Sequence, residues 1–281
     1  MAYEALRRAA NVIALSFCGA LAAAALLPLA LVLYHVVRNG APALNLDFFT
    51  HLPAPVGEPG GGMANALVGS LLLIALASVV GVPVGVLAGV FLARWARSQF
   101  AFWVRFAADV LSGVPSIVVG VVVYELVVVP MKGFSALSGG LALALIMIPT
   151  VVRTTEEMIK LVPQTLYEAA LAVGAPEWRA TIFVLIRGAR AGIITGIMLA
   201  MARIAGETAP LLFTAFNNQF WSFSPTQPIS SLPVQIFNYA TSPYEEWHQQ
   251  AWAASLVLVA LVLGMSVITR LATRGKYEIV Q

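Results

Sequence analysis

The chain has 281 residues, of which 60% are hydrophobic and only 10% are charged, and its formal net charge is +3. A soluble domain is about 45–50% apolar and about 25% charged, so this composition excludes a soluble globular protein and indicates a polytopic membrane protein. The single cysteine, Cys18, excludes a disulfide framework, and the three histidines lack the spacing of metal ligands, so we expect no metal site.

Six apolar segments are long enough to cross a bilayer, which takes about 20 residues of helix. In chain order they run from Asn11 to Val37, Asn65 to Ala93, Phe102 to Val129, Gly139 to Glu156, Gly188 to Phe216, and Ala251 to Leu271. The first is longer than a signal-peptide core of about 7–15 residues, so we expect a retained spanning helix. Pro115 is expected to kink the third, because proline has no backbone N–H to donate. The sequence predicts one all-α transmembrane domain, residues 1–281.

The distribution of positive charge predicts the orientation of these spans. If the N-terminus is inside, 13 of the 16 Lys and Arg residues fall on the cytoplasmic side. They are Arg7, Arg8, Arg94, Arg97, Arg105, Arg153, Lys160, Arg179, Arg187, Arg190, Arg270, Arg274 and Lys276. Because cytoplasmic loops are enriched in Lys and Arg, both termini are expected in the cytoplasm. Residues 38–64 and 217–250 then form outer loops, and the second, rich in aromatic residues, suits an interfacial belt or a docking surface for a partner.

A polar but patterned segment, residues 154–187, is expected to form a cytoplasmic loop between the fourth and fifth spans. Pro163 stands near the first turn of a helix, where proline is tolerated. Helical spacing relates the apolar residues Leu166, Ala169, Ala170 and Val173. Gly174 has the position of a C-terminal cap, and Pro176 prevents the helix from continuing. The pattern predicts a short helix, a sharp turn and a second helix from about Glu177.

The string E-A-A-L-A-V-G at 168–174 resembles the EAA signature of ABC-importer permeases. In that family this short helix docks on a cytoplasmic ATPase subunit. The resemblance implies ATPase contacts, with Leu166 and Tyr167 as apolar anchors, from the residues Leu166, Tyr167, Glu168, Ala169, Ala170 and Gly174. Where the family continues with I-x-L-P, this chain has V-L-I-R, with Arg187 in place of the proline. The alternative is an ordinary loop helix that lies on the bilayer.

Longer stretches of the sequence make the family resemblance more specific. Ala202–Ala215 (A-R-I-A-G-E-T-A-P-L-L-F-T-A), Asn218–Trp221, Gly113–Gly120 and Gln227–Phe237 are similar to the A-type permease family of bacterial high-affinity phosphate importers. The resemblance implies the type I ABC importer permease fold, with a cytoplasmic coupling-helix loop, in the bacterial inner membrane.

The resemblance also implies partners: a homologous second permease subunit in a heterodimer, two ATPase subunits that bind ATP and Mg²⁺, a periplasmic phosphate-binding protein, and a phosphate-signalling regulator with a sensor kinase. The chain itself has no G-x-x-x-x-G-K-[ST] string and no enzymatic motif, so we expect neither cofactor nor catalysis in it. No nucleic-acid partner is expected. Alternative functions are transport of sulfate, molybdate or phosphonate, a membrane scaffold that senses phosphate and signals to a kinase, and an ATP-independent channel or carrier.

Four residues are candidates for the substrate pathway. Arg203 and Glu207 lie four residues apart in the fifth predicted span, where one helix face would carry both, although each ionisable group costs about 2.5–3.5 kcal/mol in mid-membrane. A guanidinium matches an oxyanion, Glu207 is expected to hold Arg203 or to accept the proton of a protonated phosphate, and Thr208 adds a hydroxyl.

Arg153, at the inner end of the fourth span, is the second cation. The alternatives are a permanent Arg203–Glu207 pair that fixes helix packing and a simple positive-inside anchor at Arg153. Asp109 is expected to pair with a cytoplasmic-side cation or to cap a helix break near Ser112.

Overall fold

Helices account for every regular element in the described part of the computed structural model, residues 2–55, 58 and 60–273. They are α1 (Ala2–Gly40), α2 (Leu46–Thr50), α3 (Ala64–Arg94), α4 (Gln99–Gly113), α5 (Ser116–Val123), α6 (Val129–Met131), α7 (Ala136–Lys160), α8 (Gln164–Ala172), α9 (Glu177–Ala180), α10 (Arg187–Ala205), α11 (Ala209–Thr214), α12 (Leu232–Ala240) and α13 (Glu245–Thr273). Ala41–Ala43 forms a 3₁₀ turn, and Tyr124–Val128 and Thr181–Ile186 are π-helical. The cations predicted at Arg274 and Lys276 lie outside the described residues.

The fourth predicted span is the centre of the bundle. It extends beyond Gly139–Glu156 at both ends to form α7, and two thirds of its apolar window (67%) is buried. α3 lies against it through small residues: a Cβ on Gly85 would come within 2.6 Å of Val151, and one on Gly89 within 2.6 Å of Thr155. The four-residue spacing of these glycines therefore permits close helix packing.

The third predicted span is not one kinked helix. α4 ends at Gly113, and the helix that restarts at Ser116 and continues to Met131 runs at 106° to it. Val114 is extended (φ −72°, ψ 130°) because the ring of Pro115 disfavours helical backbone in the preceding residue. Among the described residues five helices are long and apolar enough to span a membrane, and six if this bent pair counts as one span.

The fifth predicted span, Gly188–Phe216, is also broken, which corrects the expectation of one continuous helix. α9, the second π-helical segment and α10 form a single 29-residue helical run that ends at Ala205, and α11 follows three residues later. The cause is Pro210: it has no N–H for the carbonyl of Gly206, and its ring would collide with that carbonyl in a continuous helix.

One end of the bundle, the α12 end, contains short helices in the segments predicted as outer loops, 38–64 and 217–250. Gly60 and Gly61 turn the chain there with φ of +96° and +77°, a backbone conformation that glycine adopts without strain. The aromatic residues of the second loop divide into two groups. Tyr239 is buried and stacks on Trp247 at 4.4 Å, whereas Phe220 and Phe223 are exposed, so only part of the loop fits an interfacial belt.

Candidate functional site

The two helices that restart after the breaks pack against each other. A Cβ on Gly120 of α5 would lie 2.7 Å from the Cα atom of Pro210 in α11. A second contact links the segments that follow α5 to the end of α11. The N–H of Ser135 and the hydroxyl of Ser138 donate hydrogen bonds to the carbonyl of Thr214, at 3.1 and 2.9 Å. Membrane transporters commonly bind solutes where helices are interrupted, because the interruption frees backbone polar groups within the membrane.

Arg203, Glu207 and Thr208 surround the break between α10 and α11. Arg203 lies in the last turn of α10 and is exposed, whereas Glu207 and Thr208 are half-buried in the break. The backbone N–H of Glu207 donates to the carbonyl of Ile204 at 3.2 Å. The prediction that one helix face carries Arg203 and Glu207 is therefore wrong, because α10 ends between them.

Among the described residues, no ion pair joins the Arg203 guanidinium to Glu207 or to another acid. The protomer thus presents this cation on its surface. A guanidinium in a candidate membrane span that is neither buried nor neutralised is costly against hydrocarbon, so it is expected to face protein or water instead.

Arg153 belongs to a charge cluster between α4 and α7. Its Nη2 atom pairs with the carboxylate of Asp109, so the expectation that Asp109 pairs with a cation is confirmed. Glu156, only 2% exposed, accepts from Arg105 Nη2 at 2.7 Å and from Lys160 Nζ at 2.5 Å. Arg153 Nη1 lies 3.9 Å from the second Glu156 oxygen.

Glu156 is the residue that sequence reasoning missed. Its burial depends on α4 folding back onto α7, which the expected single third span did not include. A signal existed in the sequence: a carboxylate in an apolar span with Arg153 three residues before it and Lys160 four residues after it. The five charges of the cluster leave a net charge of +1, and they connect α4 to the C-terminal half of α7.

The predicted turn of the 154–187 segment is confirmed in detail. α8 ends at Ala172, and Gly174 has φ +87° with open space around its Cα. The N–H of Gly174 donates to the carbonyl of Leu171 at 2.9 Å, and the N–H of Ala175 donates to the carbonyl of Ala170 at 3.1 Å. This pair of bonds defines a Schellman motif, whose left-handed residue is usually glycine. A new helix then begins at Glu177, as expected.

The residues expected to contact an ATPase lie on two different faces of α8. Leu166, at 55% exposure, and Glu168, Ala169 and Gly174 are exposed, and Ala170 is half-buried. Tyr167 points into the bundle and is only 6% exposed. The expectation that Tyr167 is a docking anchor is corrected, because helical geometry puts adjacent residues about 100° apart and only Leu166 faces outward.

The sequence model of one protein family matches residues 81–275 of this chain, and its description is binding-protein-dependent transport system inner membrane component. The match covers more than half of the chain, and it includes α8 and both helix breaks. The chain belongs to this family. It is therefore a multi-pass inner-membrane component of a transport system rather than an enzyme.

Individual relatives make the assignment narrower. A phosphate transport system permease protein PstA of Yersinia pestis is 47% identical, with 95% of this chain and 91% of that protein covered. The PstA of Haemophilus influenzae is 46% identical over 87% of each chain. A probable PstA of Methanocaldococcus jannaschii is 36% identical over 99% of this chain and 98% of that protein. The predicted resemblance to phosphate permeases is confirmed.

Solved structures confirm the fold. An inward-facing MetNI methionine ABC transporter superposes with a TM-score of 0.60 over 75% of this chain and 92% of that chain, at 19% identity. An amino acid ABC transporter crystallised with histidines gives 0.55 over 74% and 91%, at 20% identity. The all-α permease fold of type I ABC importers is thus the fold of this chain.

Proposed function

We propose that this chain is the transmembrane subunit of an ATP-driven importer that carries inorganic phosphate from a periplasmic binding protein into the cytoplasm. The observation that carries the proposal is the 47% identity, over 95% of the chain, to a phosphate transport permease. Helix breaks next to an exposed guanidinium support it, since an oxyanion needs donors where the membrane has no water.

The transporter implied by this proposal has several subunits. A homologous second permease completes the pathway, two cytoplasmic ATPase subunits bind ATP and Mg²⁺, and a periplasmic protein delivers phosphate. The positive-inside distribution supports an orientation with both termini and α8 in the cytoplasm. The exposed residues Leu166 and Val173, at 55% and 85%, support docking of an ATPase on the outer face of α8.

Arg203 is the first anion contact in this proposal. Its planar fork donates paired hydrogen bonds to phosphate oxygens, and among the described residues no acid forms an ion pair with it. Glu207, half-buried in the adjacent break, accepts the O–H of a monoprotonated phosphate. A sulfate dianion has no such proton and meets repulsion there. Thr208, which follows Glu207 in the same break and is half-buried, supplies a hydroxyl to the same anion. Arg203 and Glu207 together therefore select a protonated oxyanion.

Arg153 has a later role in the same proposal. Because Asp109 already neutralises it, phosphate that reaches the inner end of α7 must compete with that carboxylate for the guanidinium. The competition keeps the contact weak enough for release. Alternating access follows when the ATPase subunits close together and separate, since they move α8 of each permease.

A purified complex tests the proposal. The chain is expressed with its genetic neighbours, and ATP hydrolysis is measured with the binding protein and either phosphate or sulfate. We expect phosphate alone to stimulate hydrolysis. Equal stimulation by sulfate would contradict the assigned substrate, and failure of an ATPase to copurify would contradict the assigned class of transporter.

A further inference from the structure

α8 contacts the bundle through Tyr167, Ala170 and Leu171, which pack in one apolar cluster. Tyr167 is the only buried residue of α8, and it enters an apolar cluster with residues of α3, α7 and α10, among them Val90, Ile159 and Ile193. Its hydroxyl is buried and donates no hydrogen bond among the described residues. The contact of Tyr167 with the bundle therefore depends on its ring.

Arg94, in the last turn of α3, lies against that ring. The guanidinium carbon is 4.1 Å from the centroid of Tyr167, well within the range of a cation–π interaction. The same guanidinium lies 3.4 Å from the carboxylate of Glu177, the first residue of α9. One arginine thus contacts both helices that flank the Gly174 turn. Its Nε is buried without a hydrogen-bond partner, so the position is held by the ring and the carboxylate in spite of an unsatisfied donor.

The rest of the first turn of α8 stands away from the bundle. A cavity of about 510 Å³ lies between α8 and the ends of α3 and α7, and its lining includes Ala93, Lys160 and Gln164. Because this space is open, a displacement of α8 is opposed by the contacts of its inner face: Tyr167 against Arg94, and the half-buried Ala170 and Leu171. Beyond Arg94, α3 is locked against α7 by Gly85 and Gly89, which admit no side chain.

We propose that Arg94 is a positioning residue that transmits movement of α8 to α3, so that ATP-driven displacement of α8 moves the membrane helices. The inference rests on the proposed function, since it needs an ATPase that moves α8. It differs from docking itself: Arg94 and Tyr167 act behind α8, whereas an ATPase contacts its outer face.

The test measures ATP hydrolysed per phosphate imported by the whole complex in proteoliposomes. Arg94→Gln and Tyr167→Leu are expected to raise this ratio by about fivefold, the factor that corresponds to the loss of one cation–π contact, while the ATPase subunits still copurify. Arg94→Lys, which keeps a cation over the ring, restores part of the coupling. Tyr167→Phe leaves the ratio at the wild-type value, because the hydroxyl has no partner.

Arg97→Gln is the matched control, because Arg97 is an exposed arginine in the turn that follows α3 and its ratio is expected to remain that of the wild type. The double variant Arg94→Gln/Tyr167→Leu should raise the ratio by less than the product of the two single effects, since both single variants remove the contact between these side chains. A wild-type ratio in Arg94→Gln, equal damage from Tyr167→Phe and Tyr167→Leu, or loss of the ATPase from the complex would overturn the inference. Hydrolysis by the wild-type complex that phosphate does not stimulate would instead contradict the proposed function.

Discussion

At the scale of single residues, the arginines of the candidate membrane spans differ in their partners. Arg105 and Arg153 each pair with an acid on a neighbouring helix or on their own, whereas Arg203 has no such partner among the described residues. A cation that is already neutralised stabilises the fold, and one that is not neutralised is available to a ligand. This difference, which the sequence alone did not reveal, supports the proposal that Arg203 is the first anion contact and Arg153 a later one.

Replacement of Arg203 by Gln tests the pathway role. We expect phosphate uptake to fall by about 10- to 100-fold, because a charge-assisted contact to an oxyanion contributes about 1.5–3 kcal/mol. The amount of assembled complex should not change, since the side chain is exposed in the protomer. Uptake of labelled phosphate by cells that lack the native gene measures the effect. The control is Arg187→Gln, an exposed arginine at the other end of α10, and wild-type uptake by Arg203→Gln would refute the role.

Glu156 is expected to act through stability. Glu156→Ala leaves Arg105, Arg153 and Lys160 together without their shared carboxylate, so it should lower the free energy of unfolding by about 1.5–3 kcal/mol. Thermal unfolding of the purified complex measures the loss. Glu157→Ala, the exposed acid next in sequence, should unfold as the wild type does. Equal midpoints for both variants would show that the cluster contributes nothing to stability.

At the scale of helices and turns, the sequence predicted a helix end correctly where the residues that cause it lie in the same turn. Gly174 and Pro176 predicted the end of α8 and the start of the next helix, because a left-handed residue and a missing N–H act on their own turn. The break before α11 was missed although Pro210 has the same local effect, because the apolar run continues across it. The burial of Glu156 and the inward face of Tyr167 depend on how helices pack, which one sequence does not encode locally.

A substitution in the turn at Gly174 tests whether α8 couples ATP hydrolysis to transport. Any β-carbon is strained at φ +87°, by about 1–2 kcal/mol, although no neighbouring atom obstructs it. Gly174→Val should therefore shift α8 and raise the ATP hydrolysed per phosphate imported, whereas Gly174→Asn, which tolerates this conformation, should be milder. Gly264→Val, in an open position of α13, serves as the control. Unchanged coupling in Gly174→Val would count against a defined geometry of the turn.

At the scale of the whole molecule, the positions of the two ends of the bundle follow from α3. This 31-residue helix begins near Asn218 and Leu232, to which Asn65 and Ser70 bond, and ends at Arg94 beside α8. The α12 end and the α8 end are therefore on opposite sides of the bundle. The count of six predicted spans agrees with the structure only if α4 and the helix after Pro115 are one span.

Labelling of introduced cysteines tests the proposed orientation. In a Cys18→Ala background, cysteines at Tyr3 and Glu278 should react with a membrane-impermeant thiol reagent only from the cytoplasmic side, because the positive-inside rule places both termini there. Glu278 lies outside the described residues. A cysteine at Phe220, exposed at the α12 end, should react only from the periplasm. Labelling of either terminus from the periplasm would reverse the orientation and move α8 away from any cytoplasmic ATPase.

We propose that this chain forms half of a phosphate pathway driven from the cytoplasm by a separate ATPase. The most direct test of this proposal is the uptake of labelled phosphate into proteoliposomes that contain the complete complex, with ATP inside and the binding protein outside. We expect phosphate to accumulate against its gradient, in dependence on internal ATP and without reduction by excess sulfate. Equilibration without ATP, or accumulation of sulfate in place of phosphate, would contradict it.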